Sequence, residues 1–178
     1  MCLPRFDSDA VFAALLGDAS NGCWKLGPAG AVTSSTREYH GETMVLETTH
    51  VTGAGTVRVT DFMHAHRSPG PHIVRIVDGI SGSVPMEMLL KARFGYGDLP
   101  PWTRTIGDAC TMTAVGDALA LRCNAPLTIE DHDPRSEFTV RAGDRRWFEL
   151  AWYPSHHGVP QATDPQAALD ATLTWWTD

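Results

Sequence analysis

From residue 44 to residue 63, in MVLETTHVTGAGTVRVTDFM, the side chains change character with a period of two. Val45, Glu47, Thr49 and Val51 alternate with Leu46, Thr48 and His50, and the returning run sets Val57 and Val59 on one face. Successive side chains of an extended strand point to opposite faces, and the small, flexible Thr52-Gly53-Ala54-Gly55 permits a reversal, so the stretch predicts a β-hairpin. It carries fold information and no evident chemistry.

The pattern recurs on both sides. Residues 21–26 and 32–39 read as strands parted by the breaker group Gly27-Pro28-Ala29-Gly30. Ser68-Pro69-Gly70-Pro71 predicts a loop, residues 72–77 a buried strand, residues 79–83 a turn, and residues 84–94 a long strand. Pro85 belongs at the start of that strand or on a sheet edge, because proline has no N–H for the ladder. Residues 95–104, GYGDLPPWTR, form an irregular aromatic loop. Residues 110–115 and 118–123 flank Gly116-Asp117, a two-residue reversal. Residues 127–129, 137–141 and 146–153 complete the run, with Ala142-Gly143-Asp144 as a turn. Strands at short spacing without intervening helices predict a mainly β chain, an antiparallel sandwich rather than a βαβ fold.

Helical spacing appears only near the two ends. Asp7 or Ser8 caps a predicted helix over residues 9–16, with Val11, Phe12, Leu15 and Leu16 on one face and Gly17 as its stop. After a polar stretch at 155–163, Asp164 followed by Pro165 is an N-cap with proline at the first helical position. Residues 166–176 then form a helix carrying Leu169, Leu173 and Trp176 on one side, a stripe that needs a surface to cover it. The expected organisation is a β-sandwich over 1–154 and a linker plus helix over 155–178.

Bulk composition narrows the function classes. With 178 residues, 43% hydrophobic and 20% charged, the chain is long and apolar enough for one domain with a real core. A formal charge of -7 argues against nucleic acid or an anionic membrane as partner, since both demand clustered Lys and Arg. Cys2, Cys23, Cys110 and Cys123 are far apart and form no C-x-x-C pair, so they read as reduced thiols rather than a zinc site, although Cys110 and Cys123 could meet across a hairpin. No apolar run approaches bilayer length and no signal-peptide hydrophobic region follows Met1, which predicts a cytoplasmic protein.

Candidate chemistry is sparse. His64-Ala65-His66 puts two imidazoles on one strand face, but a metal site needs a third ligand. His156-His157 lies in the polar linker, and Glu130-Asp131-His132-Asp133, followed by Pro134, reads as a solvated turn. There is no Gly-x-Ser-x-Gly elbow and no Gly-rich loop ahead of a helix, so neither an acyl-transfer serine nor a dinucleotide or other cofactor site is expected. Glycoside hydrolysis needs two carboxylates across a sugar; Glu38, Glu42, Glu47 and Glu87 are available, but nothing in the sequence brings two of them to one cleft, and strand carboxylates on a solvated face are the favoured reading. Tyr96 and Trp102, in the irregular loop, are candidates for stacking against a sugar ring, whereas Trp24, Trp147 and Trp152 read as core.

Several ordered blocks are familiar. CLPRFDSDAVFAALLGD, VLETTHVTGAGTVRVTDFM, HIVRIVDGISGSVPMEMLLKARFGYG with PW shortly after, RAGDRRWFELAW and ALDATLTWW together resemble the amino-terminal region of bacterial glycoside hydrolase family 15 proteins, which include glucoamylases and trehalase-like enzymes. The resemblance implies a supersandwich-like β-domain joined by a helical linker to an α/α toroid. It also implies that the two catalytic glutamates of an inverting hydrolase lie in that toroid, so no residue here inherits a catalytic role. Family members carry a further segment ahead of the CLPRFDS block, and the terminal block leads into the toroid, so a fragment or truncated product is the expectation.

On this basis the chain is expected to be a non-catalytic amino-terminal domain of a family 15-like hydrolase of α-glucosidic bonds. It would pack on and support the toroid, with Arg5, Asp7, Tyr96 and Trp102 at an active-site rim or interdomain face. The alternative is a free-standing carbohydrate-binding module using Trp102 and Tyr96. Expected partners are the toroid, an oligosaccharide, and a second copy joined through an exposed sheet edge or the C-terminal helix; neither metal nor cofactor is expected.

Overall fold

The computed structural model describes residues 1–65 and 70–178. Its strands are β1 (Cys23–Pro28), β2 (Val32–Tyr39), β3 (Leu46–Thr52), β4 (Gly55–Met63), β5 (His72–Lys91), β6 (Trp102–Ile106), β7 (Ala109–Ala114), β8 (Asp117–Cys123), β9 (Thr128–Glu130), β10 (Asp133–Arg141) and β11 (Arg145–Pro154), with the helix α1 (Pro165–Thr177) near the end of the chain. All pairings are antiparallel. The larger sheet runs β2-β3-β4-β5-β11-β8-β7-β6, and a smaller one is built from β1, β5, β10 and β9.

The two sheets share one strand. Within β5, residues 73–82 pair with β4 and residues 72–78 with β11, and residues 83–91 pair with β1 and β10. The expected turn at 79–83 is therefore not a turn: the 20-residue strand runs through it. Its glycines serve the crossing. A Cβ on Gly79 would stand 1.9 Å from the Arg141 carbonyl oxygen, and Gly82 adopts φ +68, so both positions exclude an ordinary side chain. A register shift opposite Thr56 and Val57 marks the bulge where the strand bends. Pro85 sits inside this continuous strand, opposite Thr139.

Alternation decides what lies between the sheets. Ile73, Cys110, Met112, Leu119, Leu121, Phe148 and Leu150 of the larger sheet meet Met88 and Leu90 of the smaller one, and Val57, Val59 and Val77 meet Val84, Met86 and Val140. The opposite face of the larger sheet is covered as well. Val45, Phe62, Val74 and Ile76 receive Ala168 of α1, with Leu169 and Leu173 alongside. Ile73, Val74, Ile76 and Val77 are all buried, on alternate faces, because both faces of that strand are covered. Asp164 caps α1 by accepting from the Ala167 N–H at 2.7 Å, and Pro165 opens it, as expected. The buried face centres on Ala168 and Thr172, and Trp176 is exposed rather than part of the covered stripe.

Near the amino terminus the expected helix over 9–16 is replaced by two short 3-10 turns, Ala14–Leu16 and Ala19–Asn21. The backbone there is spent on tertiary pairing instead. The Ala13 N–H donates to Asn21, and the Ala10 and Val11 carbonyls accept from Tyr96 and Arg93. The hairpin reversal after β7 also shifts by one residue: it is Val115-Gly116, with Ala114 paired to Asp117. Val115 takes φ 54.

Candidate interaction surface

The segment ahead of β1 is pinned to the sandwich at alternate points. Leu3, Ala10, Val11 and Ala13 are buried against the core, and Cys2 and Ala10 form an isolated bridge. This closes a loop over residues 3–9. Inside it, the Ser8 N–H donates to the Arg5 carbonyl at 3.1 Å, and the Arg5 N–H donates to the Ser8 hydroxyl at 3.3 Å. The Arg5 guanidinium forms a two-pronged pair with Asp7, Nε to Oδ1 at 3.0 Å and Nη2 to Oδ2 at 2.9 Å. Both side chains are exposed, so in the isolated domain this pair contributes little stability.

Tyr96 joins the same corner. Its N–H donates to the Ala10 carbonyl at 3.0 Å, and its own carbonyl accepts from the Asn21 side-chain amide at 3.5 Å. At φ 63 it holds a left-handed backbone that this network over-determines. Asp18 caps the second 3-10 turn, and hydrogen bonds from the Ser20 side chain and amide hold its carboxyl below its ordinary value. Thus Arg5, Asp7 and Tyr96 are hung on one scaffold through Ala10. Trp102 begins the edge strand β6, where it pairs with Thr113 and makes its ring contact with the Arg104 guanidinium at 4.5 Å. Its expected place in a loop is corrected to a strand.

Helical spacing concealed the most conspicuous residues of this corner. Leu15 and Leu16 share the expected apolar face with Val11 and Phe12, yet only the latter two pack inward. Phe6, Leu15 and Leu16 are 92%, 102% and 70% exposed. Large apolar side chains left in water on this one amino-terminal segment are suited to being covered.

The other candidates are placed as follows. His66, with the loop positions Ser68 and Pro69, lies outside the described residues; among the described residues no group of three His, Cys, Asp or Glu is arranged to hold a metal. Glu130-Asp131-His132-Asp133 splits in two. Asp131 and His132 make the exposed reversal, at φ 50 and φ 71, whereas Asp133 is buried and bound by Arg93 at 2.8 and 3.3 Å and by Lys91 at 3.5 Å. Burial behind two cations makes Asp133 a structural anchor, not part of a solvated turn. Cys110 faces Leu121 across the β7–β8 ladder, with Cys123 on the diagonal, and all four cysteines are free thiols. Burial pushes the Cys110 thiol up to about 11, with the Cys123 thiol adding to it.

Sequence reasoning did not single out the buried pair beneath the linker. His72 Nδ1 and Glu149 Oε1 are 2.8 Å apart with both side chains 1% exposed, and Glu149 also accepts from the Thr163 hydroxyl at 2.5 Å and the Thr163 amide at 3.1 Å. Burial alone would raise the Glu149 carboxyl, but the His72 and Thr163 hydrogen bonds outweigh it and leave it below its ordinary value. The three residues clamp the segment that precedes α1 onto the sheet.

This architecture is matched by sequence comparison. Residues 1–130 match the family described as trehalase-like, N-terminal. The chain belongs to that family. The trehalase of Mycobacterium tuberculosis is 29% identical over 193 aligned residues, covering 94% of this chain and 28% of the relative. The trehalase of Mycolicibacterium smegmatis is 28% identical with the same coverage, so this trehalase-like N-terminal chain spans about 28% of the length of these relatives. A solved structure from the human microbiome, provisionally named a kojibiose phosphorylase, matches 86% of this chain and 24% of its own at 11% identity and a TM-score of 0.49. No described helix is long and apolar enough to cross a membrane.

Proposed function

We propose that this chain is the non-catalytic amino-terminal domain of a family 15-like glycoside hydrolase that cleaves α-glucosidic bonds, of trehalase or glucoamylase type. It packs on and supports a separate catalytic toroid. The observation that carries this reading is the corner at Arg5, Phe6, Asp7, Leu15, Leu16 and Tyr96, where a tightly hydrogen-bonded backbone holds large apolar side chains in water. Burying each of them against a partner is worth about 1.5–3 kcal/mol. The Arg5–Asp7 pair beside them, weak in water, strengthens when a partner excludes solvent.

Two measurements test it. Purified chain incubated with trehalose or maltose is expected to release no glucose; release would overturn the non-catalytic assignment. Mixed with the separately expressed toroid of its parent protein, the chain is expected to co-elute in size-exclusion chromatography. Phe6→Ser with Leu15→Ser is expected to abolish this, and association indifferent to both changes would sink the proposed face.

Trp102, 63% exposed on an edge strand, favours the second reading of a free-standing carbohydrate-binding module, with Tyr96 as its neighbour in sequence. Calorimetric titration with maltose, trehalose and longer glucans tests it, and absence of heat removes it. The free edge of β2, with all eight residues exposed, supports self-association through a sheet edge, which light scattering across a concentration series checks. Four free thiols suit a reducing, cytoplasmic compartment, which cell fractionation tests.

A further inference from the structure

Inward-facing positions of a β-sandwich are ordinarily apolar. At the β2 end of the larger sheet they are not. Cross-strand pairing of Arg37 with Thr48 and of Thr48 with Val59, and of Ser35 with His50 and of His50 with Val57, puts these side chains on the face that fills with valines further along. In the adjoining row stand Tyr39, Leu46, Asp61 and Arg75. The smaller sheet ends short of β2, so β1 is the last strand over this face and leaves a groove beside it.

Two adjoining cavities occupy the groove, and Asp61 and Arg75 border both. One, about 290 Å³, is otherwise apolar, lined by Trp24, Phe12, Ile73 and Met1. The other, about 310 Å³, is lined by Leu26, Gly27, Arg37, Leu46, Thr48, His50 and Val59 with the shared pair. Together they fall within the range of small-molecule sites, ~300–1,000 Å³. Arg75 donates to Asp61 at 2.8 and 3.2 Å and to the Trp24 carbonyl at 3.1 Å, and its guanidinium lies 5.0 Å from the Trp24 ring. Arg37 makes no ion pair among the described residues, and the Trp24 indole N–H is buried without a hydrogen-bond partner.

The lining selects a ligand class. An aliphatic ligand would strip water from Arg37, Asp61 and Arg75 and return nothing to them. A multiply charged anion would meet Arg37 but also the Asp61 carboxylate. A neutral polyol satisfies both signs, since vicinal hydroxyls accept from a guanidinium and donate to a carboxylate, while Trp24, Leu26 and Leu46 offer apolar surface to ring C–H groups. We propose that the groove between β1 and the β2–β3–β4 ribbon is a binding site for a mono- or disaccharide. Arg37, Asp61 and Arg75 hydrogen-bond its ring hydroxyls, and His50 and Thr48 line the cavity that Arg37 borders. Neither Trp102 nor Arg5, Phe6, Asp7, Leu15, Leu16 or Tyr96 lines either cavity, and the site does not depend on a catalytic partner.

The test titrates glucose and maltose, with sodium phosphate as the anionic probe, into the purified chain, read by calorimetry and by ¹H–¹⁵N NMR. Saturable binding by a sugar is expected, with shifts at the Trp24 indole N–H and the Thr48 and His50 amides. Arg37→Ala and Asp61→Asn are expected to weaken binding at least tenfold, and Trp102→Ala to leave it unchanged; because Arg37 is exposed on an edge strand, its variant remains informative if Asp61→Asn fails to fold. The proposal is overturned by no saturable response at tens of millimolar sugar, by a response to phosphate alone, or by binding that survives Arg37→Ala and is lost with Trp102→Ala.

Discussion

Replacing Glu149 by glutamine tests the buried clamp with almost no change of volume. Glu149 now accepts three hydrogen bonds, from His72 and the Thr163 hydroxyl on Oε1 and from the Thr163 amide on Oε2. A glutamine offers one oxygen and one NH₂ group. In one orientation its NH₂ opposes the Thr163 amide, donor against donor; in the other it faces His72 and the Thr163 hydroxyl and loses the charge-assisted bonds. A buried group left unsatisfied costs about 1–3 kcal/mol, and a bond to a charged partner about 1.5–3 kcal/mol, so Glu149→Gln should destabilise by ~2–4 kcal/mol. At about 2–4 °C per kcal/mol for a chain of this size, the melting midpoint should fall by roughly 10 °C. Because the native carboxyl lies below its ordinary value, its contribution is fully present above the unfolded pKa and fades as pH falls through the native one. The parent should therefore lose stability on acidification more steeply than the variant, from the ordinary carboxylate range downward. Urea unfolding at neutral and acid pH gives both numbers, and hydrogen exchange at the Thr163 amide reports the clamp locally. A change below about 0.5 kcal/mol with undiminished Thr163 protection would refute the reasoning.

Other positions yield equally direct tests. Gly79→Ala places a methyl carbon 1.9 Å from the Arg141 carbonyl oxygen and should cost at least ~1–3 kcal/mol in urea unfolding, whereas Gly158→Ala, which meets nothing within 4 Å, should cost little. Val115→Gly relieves a β-branched residue at φ 54 and should stabilise by about 1 kcal/mol, seen as a higher melting midpoint. Asp164→Ala removes the cap of α1 and should cost ~1 kcal/mol, with loss of helical amide protection near residue 167. Cys110, pushed up to about 11, should react slowly with a thiol reagent in the native state at pH 8; since its pKa is raised on folding, its contribution to stability should be lost as pH climbs from about 9 towards 11.

What the amino-acid order alone determined are the features made within a few residues. The bounds of β2 and the reversal at Thr52-Gly53-Ala54-Gly55 follow from alternation interrupted by small residues, and the start of α1 follows from an N-cap and a proline. The same local evidence misled where distant chain supplied the partner. Gly79 to Ser83 has turn composition, yet its glycines admit the Arg141 carbonyl and carry one strand from sheet to sheet. Val11, Phe12, Leu15 and Leu16 have helical spacing, yet the Val11 carbonyl and the Ala13 amide bond to other elements, which pre-empts a helix and leaves both leucines outside. Asp133 belongs to a loop by composition and to the interior by its pairing with Arg93. The groove was invisible for a related reason: Arg37, Thr48, His50, Asp61 and Arg75 each look like ordinary strand residues. Register between four strands puts them on one face, and the short smaller sheet leaves that face open. Local propensity is written in neighbouring residues, whereas a shared face is a property of pairings that span the chain.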